Sequence, residues 1–545
     1  MGQDELSIVN DGDDLAQYAV LDGGPALEAP VSTLAGALIR ATGLTNSDAI
    51  TCLDSKGAAT MRSYGELLDD AARILGGIRE FGALPGDRVV VQLDDTLDLM
   101  ATFWACQLGG FVAVLVPVKT PQNSRLSAEE LLSEVCEMLD APWVISAADT
   151  LSAMQRCIGP LARLRTESIA TEFHVAGPDD IATLLLTSGS TGLPKAVMLT
   201  HRNILSRSIA TAHVRRMSER NRTFNWMPLD HVGGLVMFHV RDVLLGCRQV
   251  HARTQWVLDD PLRWLDAIST YECDTTWAPN FAFALIVDRA EQHAGRSWDL
   301  RGLDYIMNGG ESIKQVVAQR FLTLLAPFGL PPTAIHPGWG MTETSSGVVD
   351  CVFLPTDGPD ADRFLPVGSP HPGVSVRIMD DNEQLLAEGD IGWVHVTGTP
   401  ITDGYYGNDE YSNLSFSSDG WFKTGDLGYI SNGLLTVAGR GGDVLEIQGT
   451  NYYGHEIEAL VEELPFVEPT YTVACDVSGE LNIIYHPRSG QGSLWESWWI
   501  SQHVSQRLGV VVGHVRAMPR EAVPKTGMGK LKRVQLSEQL RRIAE

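Results

Sequence analysis

Thr187-Ser-Gly-Ser-Thr-Gly-Leu-Pro-Lys195 lies between two apolar runs, Ile181 to Leu186 and Ala196 to Leu199. This context predicts strand, flexible loop, strand. Gly189 and Gly192 let the backbone approach a ligand closely. Thr187, Ser188, Ser190 and Thr191 add hydroxyls, and Lys195 adds an ammonium. Backbone N–H groups, hydroxyls and a lysine point charge are what a polyphosphate needs. A polar surface turn has the same composition. The phosphate reading gains because further nucleotide-type blocks follow in the same chain. The stretch is not a P-loop, which needs Gly-Lys-Ser/Thr opening a helix; here Pro194 precedes the lysine.

A chain of 545 residues is too long for one core, so at least two domains are expected. Hydrophobic content of 44% and charged content of 20% fit a globular protein. The formal charge of -27 and pI of about 4.9 exclude a basic footprint for nucleic acid and disfavour an anionic membrane surface. Anionic ligands must therefore meet a local cationic site or a metal. The 8 cysteines are scattered without a C-x-x-C pair. Neither a zinc site nor a disulfide framework is expected, and reduced thiols in a cytoplasmic protein are the default. Met1-Gly-Gln-Asp-Glu is an acidic start without a signal peptide. Met100 to Val118 reads as a buried helix followed by a strand, not a membrane span.

Residues 1–30 carry acids and no Lys or Arg, and are expected to be an ill-ordered lead with some helix around Leu15–Leu21. From Ser63 to Phe81 apolar residues recur at helical spacing. Val89–Gln92 then reads as a strand, Asp95–Leu108 as a helix, and Gly109–Val118 as a run into another strand. The alternation predicts an α/β region with a largely parallel sheet.

Further blocks follow in order. They are Trp226-Met-Pro-Leu-Asp-His231-Val-Gly-Gly234, Thr276-Trp-Ala-Pro-Asn280-Phe281, and Tyr305-Ile-Met-Asn-Gly-Gly-Glu311. Then come His336-Pro-Gly-Trp-Gly-Met-Thr-Glu343-Thr, Gly420-Trp-Phe-Lys-Thr-Gly-Asp426, Gly439-Arg440, the Gln448–Glu458 segment, and Pro524-Lys-Thr-Gly-Met-Gly-Lys530. Val367–Ile378 and Gly389–Thr397 read as strands of a smaller β region. Gly309-Gly310 at a strand end suits a flat adenine ring passing close to the backbone. His455-Glu456 does not begin an H-E-x-x-H zinc site, because Ala459 stands where the second His belongs.

Over roughly residues 35–540 this series resembles the adenylate-forming enzymes: acyl-CoA synthetases, nonribosomal peptide synthetase adenylation domains, fatty acyl-AMP ligases and luciferases. The resemblance implies an α/β fold, with a large N-terminal adenylate-forming domain of mixed sheets and helices and a small mobile α+β C-terminal domain. It divides the chain into the 1–30 lead, a 31–440 core and a 441–545 mobile domain. It implies that Thr187, Ser188, Gly189, Ser190, Thr191 and Lys195 hold the ATP phosphates. Gly309, Gly310, Glu311 and Trp339 would frame adenine, with Trp339 where Tyr is usual. Thr342 would contact the α-phosphate and Glu343 would hold Mg²⁺. Asp426 and Arg440 would bind ribose or phosphate.

Lys530 is implied as the catalytic lysine, Gly442 as the hinge and Gly449 as part of the thiol tunnel. Gly442 stands where Asp or Lys is common. The acyl pocket would be lined by His231, Val232, Asn280, Phe281, Met307, Asn308, Gly338 and Met341. His231 takes the place where an Asp usually grips a substrate ammonium, unless Asp230 one residue earlier fills that role. A neutral His cannot replace that carboxylate, so an acid without a free α-amino group is expected.

The implied activity is ATP-dependent formation of acyl-AMP from a small carboxylic acid, then transfer to a phosphopantetheine thiol. Asn451-Tyr-Tyr favours a carrier protein of a polyketide/nonribosomal peptide pathway as acceptor. CoA as acceptor (an acyl- or aryl-CoA ligase), an amino-acid adenylation domain, and a non-catalytic nucleotide-binding module are the alternatives. No carrier domain is expected to follow, because the chain ends about where the family's ligase does. Neither nucleic acid nor membrane is an expected partner.

Overall fold

The structure, a computed structural model, describes residues 18–44, 49–119, 126–146, 156–165, 169–188, 194–289, 295–354, 365–447, 450–477 and 479–523, with 531, 533, 535–537 and 540. The expected β/α alternation is present. Ser63 and Glu66 form a capping box that starts the helix Tyr64–Glu80. Asp95 accepts from the N–H groups of Leu97 and Asp98 and starts the helix Thr96–Gly109, which Gly110 ends at φ 70°. The intervening strand Arg88–Gln92 pairs in parallel with Val112–Leu115 and with Trp143–Ser146. Val112–Leu115 in turn pairs in parallel with Ile181–Ser188. Pro194–Thr200 closes this six-stranded sheet as an antiparallel edge. The strand–loop–strand reading of the opening stretch thus becomes a hairpin, with Thr187 opposite Lys195.

A second, 14-stranded sheet among the described residues has two regimes. Its parallel part runs from Ile50–Leu53 through Arg248–Ala252, Arg222–Asn225, Thr275–Ala278 and Tyr305–Asn308 to Ile335–Met341. Its antiparallel part continues through Ser346–Asp350, Pro366–Pro370, Leu434–Arg440, Phe422–Ser431, Gly392–Gly398 and Val374–Met379. The strand Ile335–Met341 belongs to both. Its first half lies parallel to Tyr305–Asn308 and its second half antiparallel to Ser346–Asp350, with an irregularity between Trp339 and Gly340. Changes of sheet direction open crevices at strand ends, and Trp339 and Gly340 lie at this one.

Beyond Arg440, the hairpin Val444–Ile447/Thr450–Tyr453 leads into the helix Gly454–Glu462. A three-stranded sheet follows, in which Val473–Val477 and Val512–Ala517 flank Glu480–Tyr485. The helix Leu494–Leu508 carries a Ser493/Glu496 capping box. Leu445, Ile457, Val461, Ile483, Ile500 and Val504 bury one another in a core of their own.

One expectation is corrected. From Tyr18 onward the acidic lead is placed, and as strand rather than helix. Val20–Asp22 adds antiparallel to Val374–Met379, with Val20 opposite Arg377. Ala19 is fully buried, and Asp22 accepts from the Gly24 N–H and the Ser375 hydroxyl. The count of acids hid a short apolar run, Ala19-Val-Leu21, sufficient to cover a sheet edge. No helix among the described residues is long and apolar enough to cross a membrane.

Candidate nucleotide and acyl site

On one side of the Ile335–Met341 strand end lie the phosphate-type residues. Lys195 leaves the hairpin edge and sets Nζ 3.3 Å from the centroid of the Tyr411 ring and 5.6 Å from that of Tyr405. The two rings meet edge to face at 4.9 Å. The Tyr405 hydroxyl donates to Glu343 Oε1 at 2.9 Å. Burial, and then the Glu343 carboxylate, push this phenol far above its ordinary range, so it stays a donor. Glu343 sits in the short turn Thr342–Thr344, and its carbonyl accepts from the Thr402 N–H at 2.8 Å. The turn ends in left-handed backbone at Ser345 (φ 55°) and Ser346 (φ 103°). Non-glycine residues hold such angles only where surroundings over-determine them. Here the Ser345 hydroxyl is tied to the Pro400 carbonyl and the Thr344 hydroxyl to the Ser346 carbonyl.

Lys195 and Glu343, far apart in sequence, are thus linked through two tyrosines. Neither tyrosine was among the residues expected from the sequence. Tyr405 has a local signal, Gly404-Tyr405-Tyr406, with Gly404 at φ 137°; Tyr411 lies outside it. Gly189, Ser190, Thr191 and the Ser188 side chain lie outside the described residues. Glu343 is a single buried carboxylate, which fits Mg²⁺ held jointly with substrate phosphates rather than by a protein cage. No cluster of three or more His, Cys, Asp or Glu able to hold a metal occurs among the described residues.

On the other side lie Trp339, Asp426 and Arg440. The Trp339 indole N–H donates to Asp426 Oδ2 at 2.8 Å, and Arg440 Nε donates to Oδ1 at 2.8 Å. Asp426 and Arg440 are register partners on adjacent strands, which fixes the pair. Gly309 is held to glycine by packing, since a Cβ there would lie 2.7 Å from the Gly338 carbonyl oxygen. Gly310 needs glycine for its backbone, at φ 85°. Glu311 accepts from the Phe281 N–H at 2.6 Å, at the start of the helix Asn280–Asp288. One of its oxygens therefore serves the helix N-terminus.

Of the expected acyl residues, Asn280 and Gly338 line the same crevice as Trp339, Asp426 and Arg440. The His231 ring stacks on Trp277 at 6.3 Å and 15°, and its Nδ1 accepts from the Gly233 N–H at 3.1 Å. Burial holds the imidazole down at about 4, so it is neutral near pH 7. Burial pushes neighbouring Asp230 up to about 6. Met307 Cε fills the space over Gly338, where a Cβ would come within 2.6 Å of it. Asn308 is fully buried at the strand end, and Asn280 accepts from the Lys314 N–H at 3.2 Å. Val232 and Phe281 are buried, and Met341 is half-buried beside Thr342.

The C-terminal segment closes the crevice with Asp443, His455, Glu458 and Arg533. Arg533 grips both oxygens of Glu458 (2.8 and 2.6 Å) and reaches Asp443 at 3.2 Å. Lys314 pairs with Glu462, and Arg488 with Asp288 at 3.3 Å. A Cβ on Gly442 would meet nothing within 4 Å, whereas one on Gly441 would strike the Trp393 ring. Gly449 and Lys530 lie outside the described residues.

The family model for AMP-binding enzymes matches residues 40–406. The chain is 31% identical to the nonribosomal peptide synthetase apvA of Aspergillus terreus, over 87% of this chain and 54% of that protein. It is 29% identical to the atromentin synthetase of Tapinella panuoides, over 96% and 58% respectively. It thus spans about half the length of the curated relatives it matches. Among solved structures it superposes on McyG A-PCP complexed with phenylalanyl-adenylate, with TM-score 0.88, 34% identity, and 96% of this chain and 85% of that one covered. It also superposes on the adenylation domain of a keto acid-selecting NRPS module bound to keto acyl adenylate, with TM-score 0.74, 33% identity, and coverage of 92% and 100%. Fatty acyl-adenylate ligases from E. coli and L. pneumophila, at 23% identity and TM-score 0.84, share the fold. With a family match over residues 40–406, most of its length, the chain belongs to the AMP-binding enzymes.

Proposed function

We propose that this protein activates a carboxylic acid without an α-amino group, a 2-keto acid in the first instance, as its acyl-adenylate. The observation that carries this reading is the pair of groupings on either side of one strand end: Lys195–Tyr411–Tyr405–Glu343 for phosphates and Trp339–Asp426–Arg440 for the nucleoside. A carboxylate oxygen of the acid attacks the α-phosphorus of ATP. The bond to the β-phosphate bridging oxygen breaks, and pyrophosphate leaves. Such transfer depends on positioning and charge neutralisation more than on covalent help. Lys195 and the hydroxyls of the opening loop bind the leaving phosphates, Thr342 contacts the α-phosphate, and Lys530 meets charge developing between carboxylate and phosphorus. Glu343 and the nucleotide's phosphate oxygens would hold Mg²⁺, which supplies further charge neutralisation there.

In the second half-reaction a phosphopantetheine thiol, after losing its proton, attacks the acyl carbonyl. The thioester forms and AMP departs. A carrier protein is the acceptor we favour, supported by the relatives named as nonribosomal peptide synthetases and by the A-PCP neighbour. CoA is the rival. Between the half-reactions the segment beyond Arg440 turns about residues 440–443, where Gly442 is unhindered. A neutral His231 where an ammonium partner is expected supports a substrate without an amine. The similarity to a keto acid-selecting module supports a keto acid. A second reading, an amino acid gripped by Asp230, draws on the neighbour that carries phenylalanyl-adenylate. Lys530→Ala is expected to lower acyl-AMP formation on the order of 10²-fold or more. An unchanged rate, measured as acid-dependent release of pyrophosphate, contradicts the assignment of Lys530.

A further inference from the structure

Strand register sets three side chains abreast under the acyl residues. Trp277 is the partner of Met307, and Met307 is the partner of His336. Register partners in parallel strands project to one face of the sheet. His231 covers the Trp277 end of this row. Met307 Cε lies in the centre, so close to Gly338 and Gly347 that a Cβ on either would come within 2.6 or 2.5 Å of it. Arg207, from the helix His201–Val214, reaches the same place and donates Nε–H to the Gly347 carbonyl at 3.0 Å.

An acyl pocket for a hydrocarbon chain would present apolar atoms here. Instead, the indole nitrogen of Trp277, both ring nitrogens of His336 and one terminal nitrogen of Arg207 are buried without a hydrogen-bond partner. Trp277 is 5%, His336 5% and Arg207 1% exposed. Arg207 makes no ion pair among the described residues. At the adjoining strand end both amide atoms of Asn308 are likewise buried and unpartnered. A buried polar group left unsatisfied forfeits its hydration with nothing in return, so their concentration on one face calls for a polar occupant. Burial holds His336 down at about 3, and a neutral imidazole offers one donor and one acceptor. Trp277 and Arg207 offer N–H donors only. The matching ligand group is an oxygen acceptor. Met307, a flexible side chain, is the part of the row that can yield to admit it.

We propose that the Trp277–Met307–His336 row, with Arg207 behind it, is the specificity floor of the acyl site. It selects an acid bearing a keto or hydroxyl oxygen remote from its carboxylate over a hydrocarbon acid of the same size. This inference rests on the acid-activation reading above. Sites built to hydrogen-bond a substrate oxygen reject analogues lacking it, because their buried groups are then left unpaired.

The test uses two matched pairs of 2-keto acids: phenylpyruvate with its para-hydroxy derivative, and 2-oxooctanoate with its terminal hydroxy derivative. Each acid is assayed in ATP–pyrophosphate exchange, and its acyl-sulfamoyl adenosine analogue is titrated by calorimetry. The hydroxylated member is expected to be favoured by about tenfold or more in at least one pair, with the same sign in binding. His336→Phe and Arg207→Met each shrink that preference, and the conservative His336→Gln keeps part of it. Members without the hydroxyl that bind and exchange as well as their hydroxylated partners overturn the proposal. Selective analogue binding without exchange sinks the activity reading while upholding the floor. Failure to bind any analogue overturns both.

Discussion

At Glu343 a single hydrogen bond aims the carboxylate that we propose holds Mg²⁺. Tyr405 donates to Oε1, so Tyr405→Phe leaves that oxygen free to rotate. A hydrogen bond to a charged group is worth about 1.5–3 kcal/mol. The variant is expected to raise the Mg²⁺ concentration for half-maximal exchange by roughly tenfold while ATP binding without metal, read by calorimetry, is unchanged. An unaltered Mg²⁺ dependence removes Tyr405 from the account. Tyr411 holds the Lys195 ammonium over its face. A cation–π contact contributes about 0.5–2 kcal/mol, so Tyr411→Leu is expected to raise KM for ATP several-fold with little change in kcat, and Tyr411→Phe to restore it. A fall in kcat with KM unchanged contradicts a positioning role.

These two tyrosines also mark the limit of what the sequence discloses. Glu343, Asp426 and Arg440 were singled out because the blocks that hold them resemble a family's, and the fold sets Asp426 beside Arg440. Tyr405 acts on a partner 62 residues away, through a packing that no local pattern encodes. His336 was legible only as part of a block, since an unpartnered imidazole is a property of the folded sheet. Glu311 was placed with the nucleotide, yet its carboxylate also caps a helix.

At the scale of the element, helix starts were the most readable feature. Ser63 and Asp95 each cap the helix they precede, because a side-chain oxygen there satisfies N–H groups the helix cannot, and Ser493, which the sequence analysis did not single out, does the same. The strand Val20–Asp22 was not readable, because its acidic neighbours dominate the composition. The buried segment Gly233–Val240 contributes a pH dependence. His239 Nε2 accepts from the Trp104 indole N–H at 2.8 Å, and its Nδ1–H donates to Gln249 at 2.7 Å. Burial holds this imidazole down at about 4, against about 6.5 unfolded. Between those values the unfolded chain binds a proton that the folded chain refuses, so stability falls as pH falls. The expected loss is on the order of 2 kcal/mol between about pH 7 and 5, read as a lower urea midpoint. His239→Gln is expected to be less stable near neutrality but flatter across that range. An equal slope in both proteins contradicts the assignment.

At the scale of the whole molecule, charged contacts among the described residues hold the segment beyond Arg440 against the rest. Lys314–Glu462 and Arg488–Asp288 bridge the two bodies, while Arg533 ties Glu458 to Asp443 next to the proposed hinge. Partly exposed pairs contribute up to about 1 kcal/mol each. Lys314→Met with Arg488→Met is therefore expected to shift the population of this orientation by up to about tenfold. Fluorescence transfer between labels on the two bodies reads that shift, and an unchanged distance distribution contradicts the latch. The division into a large mixed-sheet body and a smaller α+β body was expected from the family resemblance. The β/α alternation alone carried only the first sheet, because the antiparallel half has no period that distinguishes it from an isolated hairpin set.

The most direct test of the central claim is acid-dependent ATP–pyrophosphate exchange across 2-keto acids, hydroxy acids, fatty acids and the proteinogenic amino acids. Exchange led by acids without an α-amino group, 2-keto acids among the fastest, is the predicted result. Exchange confined to amino acids would contradict it, returning the ammonium-binding role to Asp230 and removing His231 as the determinant.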